Sequence, residues 1–210
     1  MVAINFGIID YGAGNLGNVK RALTEIGASC NIIDSPREIK SSSALILPGV
    51  GSFAAGMQGL QERGLVSPLL ESVREGKPLL GICLGMQLLF AGSEEAEGIS
   101  GLELLPGRSR RFSLEDVASV PHVGWNEIDF AAGCDLERGL KNTYFYFVHS
   151  YYIPLDEKTV EFASGISVYG KRKFVSALRW KNITALQPHP EKSGETGLAF
   201  LKNYVEEVRK

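Results

Sequence analysis

The sequence predicts a three-layer α/β protein with a central, mostly parallel sheet and an antiparallel extension. Two patterns predict this class: strand-like runs alternate with helix-period segments in the first half of the chain, and strand-like runs dominate residues 108–186. A length of 210 residues suits one buried core, so we expect a single domain over residues 1–210.

The first half of the chain has the rhythm of parallel β-α units. Short apolar and β-branched runs occupy residues 3–9, 29–33, 44–47 and 78–82. Helix-period segments follow at residues 16–26, after Leu65 and at residues 84–91. The first helical segment presents an apolar stripe from Val19 to Ile26 and ends before Gly27, so we expect it to cover the sheet.

The second half of the chain changes to strand-like runs parted by Gly and Lys turns. These runs cover residues 123–130, 143–153, 160–164 and 174–178. A last helix-period segment carries its apolar residues on one face, at Leu198, Leu201, Val205 and Val208. We therefore expect an antiparallel extension, followed by a helix that returns to cover the sheet.

Composition and charge exclude several classes of function. The net charge is -2 and the basic clusters 108–111 and 171–173 are short, so we expect solvated faces and no nucleic-acid binding. The apolar run 2–9 is interrupted by Asn5 and is too short to span a bilayer, so we expect no membrane contact and a cytoplasmic protein. The histidines lack local zinc spacing, and we expect neither a metal nor a cofactor.

Cys83 is the candidate nucleophile among Cys30, Cys83 and Cys134, whose odd count and spacing predict reduced thiols. It lies in the segment Gly81–Gly85 (GICLG), between an apolar run and a helix-period segment. This G-x-C-x-G pattern predicts a sharp strand-to-helix turn that projects the sulfur above the sheet. The alternative is a small buried hydrophobic residue. A helix N-terminus supplies ~0.3 to 1 kcal/mol, less than the ~1.4 kcal/mol of one pKa unit, so a partner imidazole is required.

His189 is the best candidate for that imidazole. Gln187 and His189 both precede a proline, which favours extended backbone. Residues two apart in an extended chain face the same side, so Glu191 is placed to accept a hydrogen bond from the His189 ring and to favour its charged form. The alternative is an exposed turn in which His189 and Glu191 never meet. His122 and His149 lie on strand-like runs and are predicted to be packed or interface side chains.

A second glycine-rich turn, Leu47–Ser52, follows the strand-like run 44–47. It is predicted either to bring backbone N–H groups to the same edge of the sheet or to be a simple connecting turn.

Taken together, these residues resemble the class I glutamine amidotransferases, whose elbow and His-Pro-Glu triplet match Gly81–Gly85 and His189–Glu191. The resemblance runs nearly end to end. More narrowly, the chain is similar to the glutaminase subunits of imidazole glycerol phosphate synthases, which act in histidine biosynthesis. The segments that carry this narrower resemblance are Asp10–Asn15, Pro48–Gly51, Pro121–Asn126, Phe147–Tyr151 and Glu191–Ser193.

The resemblance implies a role for each matching residue. Cys83 attacks the side-chain amide of glutamine, His189 protonates the departing ammonia, and Glu191 completes the triad. The implied oxyanion site consists of Gly49, Val50, Gly51 and Leu84. The implied glutamine contacts are Gln87, Glu95, Ser150 and Tyr151. The implied contacts with a synthase subunit are Asn15, His122, Trp125, Asn126, Tyr146 and Lys192.

The implied partner is a (β/α)₈-barrel cyclase or synthase subunit, with which the chain forms a heterodimer. In this family the partner receives ammonia through a shielded route and uses it to make imidazole glycerol phosphate and AICAR. Family members are nearly idle until the partner binds its ligand, which the resemblance links to reorientation of the turn Pro48–Gly51. Two other functions stay open: a glutaminase paired with a synthase for a surface sugar, and a non-catalytic regulatory or assembly subunit. The intact Cys83, His189 and Glu191 favour an enzyme.

The chain departs from the family pattern at Pro188, where an aromatic residue, most often Phe, is usual. Proline suits extended backbone, but it removes packing area and one N–H beside His189. The departure therefore bears on how the imidazole is held.

Overall fold

One large mixed sheet runs through the protein, and the computed structural model describes residues 4–210. The strands are β1 (Asn5–Ile9), β2 (Ser29–Ile33), β3 (Ala44–Gly49), β4 (Leu79–Cys83), β5 (Phe90–Ser93), β6 (Leu105–Arg111), β7 (His122–Glu127), β8 (Asp129–Phe130), β9 (Tyr144–His149), β10 (Tyr151–Pro154), β11 (Ala163–Tyr169), β12 (Arg172–Trp180) and β13 (Ile183–Leu186). The helices are α1 (Leu16–Glu25), α2 (Pro36–Ser41), α3 (Phe53–Glu62), α4 (Val66–Arg74), α5 (Leu84–Leu88) and α6 (Gly194–Val208).

The sheet has a parallel half and an antiparallel half. Strands β2, β1, β3, β4 and β13 are parallel neighbours in that order. Antiparallel pairing then continues through β12, β10 and β6, with β5 parallel to β6 at the far edge. Strand β11 forms a hairpin with β12, and β7 pairs with β9 in a separate two-stranded sheet. The predicted α/β class, with an antiparallel extension, is confirmed.

Helices cover both faces of the parallel strands, which makes three layers. Strands β3, β4 and β13 are buried along their whole length, as expected for near-continuous apolar strands between two helical layers. One face packs against α2, α3 and α4, and the other against α1 and α6. The apolar stripe predicted for the first helix contributes Val19, Ala22 and Leu23 to the second core. No helix within residues 4–210 is long and apolar enough to cross a membrane.

Four predicted elements differ from the structure, and two of them, the strand-like runs 123–130 and 143–153, are each divided into two strands. The helix predicted over residues 84–91 ends at Leu88, and Phe90 begins a strand. Phe90 is fully buried against β6, and the N–H groups of residues 104 and 105 bond to the carbonyl of Leu89, so long-range pairing overrides the local helical period. The strand predicted from Val160 begins only at Ala163, after a 3₁₀ turn.

The 3₁₀ turn before Ala163 has a local cause. The Thr159 hydroxyl donates to the carbonyl of Pro154 at 2.6 Å and accepts the N–H of Asp156 at 2.9 Å, which fixes a turn where periodicity alone indicates a strand. At the other end of the chain, Ala3, predicted as the start of the first strand, lies outside the described residues.

Candidate active site

Cys83 ends the central strand β4 and lies at the edge of the sheet where the parallel strands terminate. Its backbone has φ 54° and ψ -109°, a region that non-glycine residues rarely adopt and that costs ~1 to 3 kcal/mol. The flanking glycines are needed for space, because a Cβ on Gly85 would overlap the carbonyl oxygen of Leu47. A Cβ on Gly81 would lie 3.1 Å from both the Ala185 Cβ and the backbone nitrogen of Met86. The predicted elbow is therefore present.

The helix after Cys83 is short. Helix α5 has five residues, so its dipole gives the sulfur less support than a full helix would. This makes the electrostatic contribution of neighbouring side chains more important.

His189 lies beside Cys83 because β13 is the parallel neighbour of β4, with Leu186 in register with Ile82. The His189 Nδ1 and the Glu191 Oε1 are 2.8 Å apart, and both side chains are only 2% exposed. The carboxylate accepts from Nδ1–H, which leaves Nε2 for the sulfur. The exposed turn that the sequence also allowed is therefore not the one observed.

The electrostatics of this pair favour a charged imidazole. Burial lowers the pKa of His189, but the adjacent Cys83 sulfur and the Glu191 carboxylate outweigh burial and raise the pKa to about 10. The His189 Nε2 is buried and has no partner with hydrogen-bond geometry among residues 4–210. We therefore attribute the influence of Cys83 to proximity of charge rather than to a formed hydrogen bond. The site therefore favours an imidazolium beside the Cys83 sulfur.

A cavity of about 410 Å³ opens above Cys83, within the usual size range of small-molecule sites. Eight of the residues that the sequence assigns to oxyanion, substrate or partner contacts line this cavity: Val50, Gly51, Leu84, Gln87, Glu95, Ser150, Tyr151 and Lys192. Three further lining residues carry no predicted cavity role: Pro121, Val148 and His149.

The turn Pro48–Gly51 beside Cys83 is held on both sides. Gly49 pairs in register with Cys83, and a Cβ at this position would overlap the Tyr11 hydroxyl. That hydroxyl donates to the carbonyl of Pro48 at 2.6 Å. On the other side, the Glu95 Oε2 accepts the N–H of Phe53 at 2.7 Å, at the start of α3. The glycine-rich turn is thus more than a connection, since it borders the cavity over Cys83.

Gln87 presents an acceptor to the cavity. Its Nε2 donates to the carbonyl of Tyr151 at 3.0 Å and to the Gln187 Oε1 at 3.1 Å, which uses both amide hydrogens. The Gln87 Oε1 is therefore left to accept a ligand donor. Together with the Glu95 carboxylate, it gives the cavity a polarity that suits an ammonium group and a primary amide.

Three of the predicted partner contacts, Trp125, Tyr146 and Lys192, form a partly exposed surface next to the site. Trp125 is 57% exposed and stands edge-on to Tyr146 with ring centres 6.2 Å apart, and the Lys192 ammonium lies 6.0 Å from the Tyr146 ring centre. The N–H of His189 donates to the carbonyl of Tyr146 at 2.9 Å, so this surface is joined directly to the imidazole-bearing segment. Asn15 is exposed and caps α1.

His122 does not lie on that exposed surface. Its side chain is 3% exposed and its ring contacts His149, with the His122 Nδ1 3.0 Å from the His149 Nε2. The prediction of a direct partner contact by His122 therefore does not fit its position; the neighbouring Asn126, which is half-buried, is closer to the surface. Alternation along β7 explains the difference, because His122 and Trp125 face opposite sides.

Gln187 is the residue that sequence reasoning missed. It is fully buried, and its Nε2 lies 3.7 Å from the Cys83 sulfur. The only sequence signal was its position two residues before His189, which predicts that both side chains face the same side of an extended segment.

The model of the class-I glutamine amidotransferase family matches residues 7–208, so the chain belongs to the class I glutamine amidotransferases. The family resemblance seen in the sequence is thereby confirmed, and the chain is a glutaminase-type enzyme. A relative from Moorella thermoacetica is 48% identical over 204 residues, covering 96% of this chain and 94% of the relative. A relative from Methanothermobacter thermautotrophicus is 43% identical over 202 residues, covering 96% and 98%. Both are named imidazole glycerol phosphate synthase subunit HisH.

Solved structures agree with the fold. The structure of PurLQS from Thermotoga maritima superposes with a TM-score of 0.75 at 17% identity, covering 99% of this chain and all of the matched chain. A crystal structure of a glutamine amidotransferase superposes with a TM-score of 0.72 at 20% identity, covering 97% of each chain. At these identities the likeness shows the fold alone.

Proposed function

We propose that this chain is the glutaminase subunit of an imidazole glycerol phosphate synthase, which hydrolyses glutamine to glutamate and ammonia and passes the ammonia to a partner subunit. The observation that carries the proposal is the buried pair His189 and Glu191 next to Cys83, which itself lines a cavity. The relatives from Moorella thermoacetica and Methanothermobacter thermautotrophicus, which match nearly the full length of the chain, are named for this synthase, which supports the pathway assignment.

The first half of the reaction forms a thioester. The Cys83 thiolate attacks the side-chain amide carbon of glutamine, and the carbonyl oxygen becomes an oxyanion that backbone N–H groups of the Gly49–Gly51 turn and Leu84 stabilise. When the intermediate collapses, the C–N bond breaks and the His189 imidazolium gives its proton to the leaving nitrogen, which departs as ammonia. A His189 that is protonated at rest suits this step.

The second half releases glutamate. Neutral His189 now takes a proton from water, whose oxygen attacks the thioester carbon, and the C–S bond breaks to regenerate the thiolate and the imidazolium. Glu191 holds the His189 Nδ1–H throughout, so Nε2 faces the reacting atoms in both directions of proton transfer.

Glutamine would lie with its amide over Cys83 and its amino acid end among the polar lining groups. The Gln87 Oε1 and the Glu95 carboxylate supply acceptors for its ammonium, and the strand segment Ser150–Tyr151 borders the same cavity.

The partner in this proposal is a (β/α)₈-barrel cyclase subunit that docks on the partly exposed surface around Trp125, Tyr146 and Lys192. Free ammonia is largely protonated at neutral pH and so loses its nucleophilicity in bulk water. A heterodimer that transfers ammonia across a shielded interface avoids that loss. The proposed location of the complex is the cytoplasm, where such thiols stay reduced.

The test is reconstitution of the purified chain with a candidate barrel synthase, following glutamate release and nucleotide conversion. Cys83→Ala is expected to abolish glutamine hydrolysis while synthesis from added ammonium continues. Hydrolysis that persists in Cys83→Ala would disprove the nucleophile assignment. Stimulation by a surface-sugar synthase instead of the histidine-pathway barrel would disprove the pathway assignment, and absence of hydrolysis with either would favour a non-catalytic subunit.

A further inference from the structure

We propose that Gln187 is a further catalytic residue, whose side-chain amide donates a hydrogen bond to the Cys83 sulfur and favours its thiolate. The inference rests on Cys83 being the nucleophile. Gln187 is fully buried, directly follows β13, and is anchored by its backbone N–H, which donates to the carbonyl of Ser176 at 2.8 Å. Its Nε2 lies 3.7 Å from the sulfur, within the range of hydrogen bonds to sulfur.

The orientation of the Gln187 amide follows from its neighbours. The carbonyl of Tyr151 only accepts, so the Gln87 atom at 3.0 Å from it must be the amide nitrogen. The same nitrogen faces Gln187 at 3.1 Å, which requires the Gln187 oxygen on that side. The Gln187 nitrogen is then turned toward Cys83, where it donates. A flipped amide would place two nitrogens together at one end and an oxygen against the sulfur at the other.

A buried chain of hydrogen bonds holds Gln87 in turn. The His149 Nδ1 lies 2.7 Å from the carbonyl of Tyr151 and must therefore donate to it, so the His149 Nε2 accepts from the His122 Nδ1 at 3.0 Å. The His122 Nε2 in turn accepts from the Asn126 amide at 3.4 Å. Each link requires neutral histidines. Burial lowers the pKa of His149 to about 3 and that of His122 to about 4, which agrees with that requirement.

This chain gives the residues around Cys83 a fixed arrangement that ends on strand β7, next to exposed Trp125. His122 and His149 act as positioning residues because they reach the sulfur only through Tyr151, Gln87 and Gln187. Of the residues in this hydrogen-bonded chain, Gln187 is the one whose side chain contacts the Cys83 sulfur.

The chemical effect of Gln187 depends on the charge on sulfur. An N–H donor stabilises the thiolate before attack, loses most of its interaction when the neutral thioester forms, and regains it when the C–S bond breaks. His189 remains the group that transfers protons. Gln187 therefore affects how much thiolate is present at neutral pH, and how readily the thioester breaks down, without entering the proton balance.

The test measures the rate at which iodoacetamide alkylates Cys83 in the full chain as a function of pH, by peptide mass spectrometry. Gln187→Met keeps a similar volume and removes the donor, so the rate at pH 7 is expected to fall about tenfold. The limiting rate at high pH should stay unchanged, because access to the sulfur is the same.

Gln187→Glu, which places a carboxylate at this position, should be slower still at pH 7. Gln58→Met, an exposed glutamine on α3, is the matched control and should react as the wild type does.

A second variant guards against misfolding of Gln187→Met. Gln87→Met leaves Gln187 in place but frees its amide to rotate, and the rate at pH 7 should fall about threefold, the effect of one neutral hydrogen bond. Wild-type alkylation rates in these variants, or an equal loss at every pH, would overturn the role of Gln187. Loss of the nucleophile assignment itself would appear differently, as glutamine hydrolysis that survives Cys83→Ala.

Discussion

Replacing Glu191 by glutamine tests how the charge beneath His189 supports the reaction. The Glu191 Oε1 is 2.8 Å from the His189 Nδ1, and both side chains are 2% exposed, so water contributes little screening to this contact. Glu191→Gln keeps the size of the side chain and removes its negative charge. The amide oxygen can still accept from Nδ1–H, so the ring keeps its orientation while the charge that favours imidazolium is lost.

The magnitude follows from the value of a hydrogen bond to a charged group, ~1.5 to 3 kcal/mol, which corresponds to a change of about one to two units in the pKa of His189. Because the carboxylate raises this pKa, its removal lowers it. Less imidazolium is then present at alkaline pH to protonate ammonia. With the pKa lowered from about 10 to about 8 or 9, kcat for glutamine hydrolysis should fall at most about twofold at pH 8 and about 5- to 50-fold at pH 10. The alkaline limb of the pH profile of kcat/KM should move to lower pH by about one to two units.

The assay is glutamate release by the reconstituted complex between pH 6 and 10. A kcat at pH 10 within about twofold of the wild type, with an unmoved alkaline limb, would refute the reasoning, since it would mean that His189 does not rely on Glu191. The control is Glu71→Gln, which removes an exposed carboxylate paired with Lys40 at 3.1 Å and should change neither quantity.

Two further predictions concern stability and the departure at Pro188. Burial lowers the pKa values of His149 and His122, so below about pH 6.5 the unfolded chain binds more protons than the folded chain does. The free energy of unfolding therefore decreases as the pH falls from about 6.5 toward 4, by up to ~1.4 kcal/mol per pH unit for each histidine. Denaturant unfolding of His122→Gln, which cannot be protonated, should show a shallower pH dependence, and an identical slope would contradict this. Pro188 is buried, so Pro188→Phe should lower the free energy of unfolding by ~1 to 3 kcal/mol through overpacking. Its kcat should change less than about threefold because other contacts hold His189, whereas a 100-fold rise would show that proline misplaces the imidazole.

The sequence predicted the parts of the site that depend on local backbone geometry. The G-x-C-x-G pattern is readable because only small neighbours fit a turn with φ 54° at Cys83. The contact between His189 and Glu191 is readable because two prolines enforce extended backbone over a short segment. Both features depend on a few adjacent residues, so the spacing of those residues in the sequence predicts them.

Features that depend on distant contacts were not readable. The Gln187 side chain reaches Cys83, 104 residues away in sequence, only because β13 pairs with β4. The burial of His122 depends on stacking against Phe147 and Tyr169, with ring centres 4.9 and 4.0 Å away. The early end of α5 likewise depends on pairing between Phe90 and β6. The periodicity of apolar residues within one segment does not predict which distant segment packs against it.

The consequence of Pro188 for His189 also depends on contacts that the local sequence does not specify. A missing N–H before His189 suggested a less firmly held imidazole. In the folded chain, the N–H of His189 itself bonds to the carbonyl of Tyr146 at 2.9 Å, and the Ser193 hydroxyl donates to the carbonyl of His189 at 2.6 Å. These two hydrogen bonds hold the backbone of His189 at both its N–H and its carbonyl. Neither can be predicted from the sequence of residues 187–191 alone.

The most direct test of the account is to identify the residue labelled by a glutamine analogue that carries a diazoketone in place of the side-chain amide. The reconstituted complex would be treated with one equivalent, with and without excess glutamine, and mapped by peptide mass spectrometry. The account predicts one adduct, on Cys83, that glutamine prevents and that parallels the loss of glutaminase activity. Labelling of Cys30 or Cys134 with activity lost, or inactivation that leaves Cys83 unmodified, would contradict it.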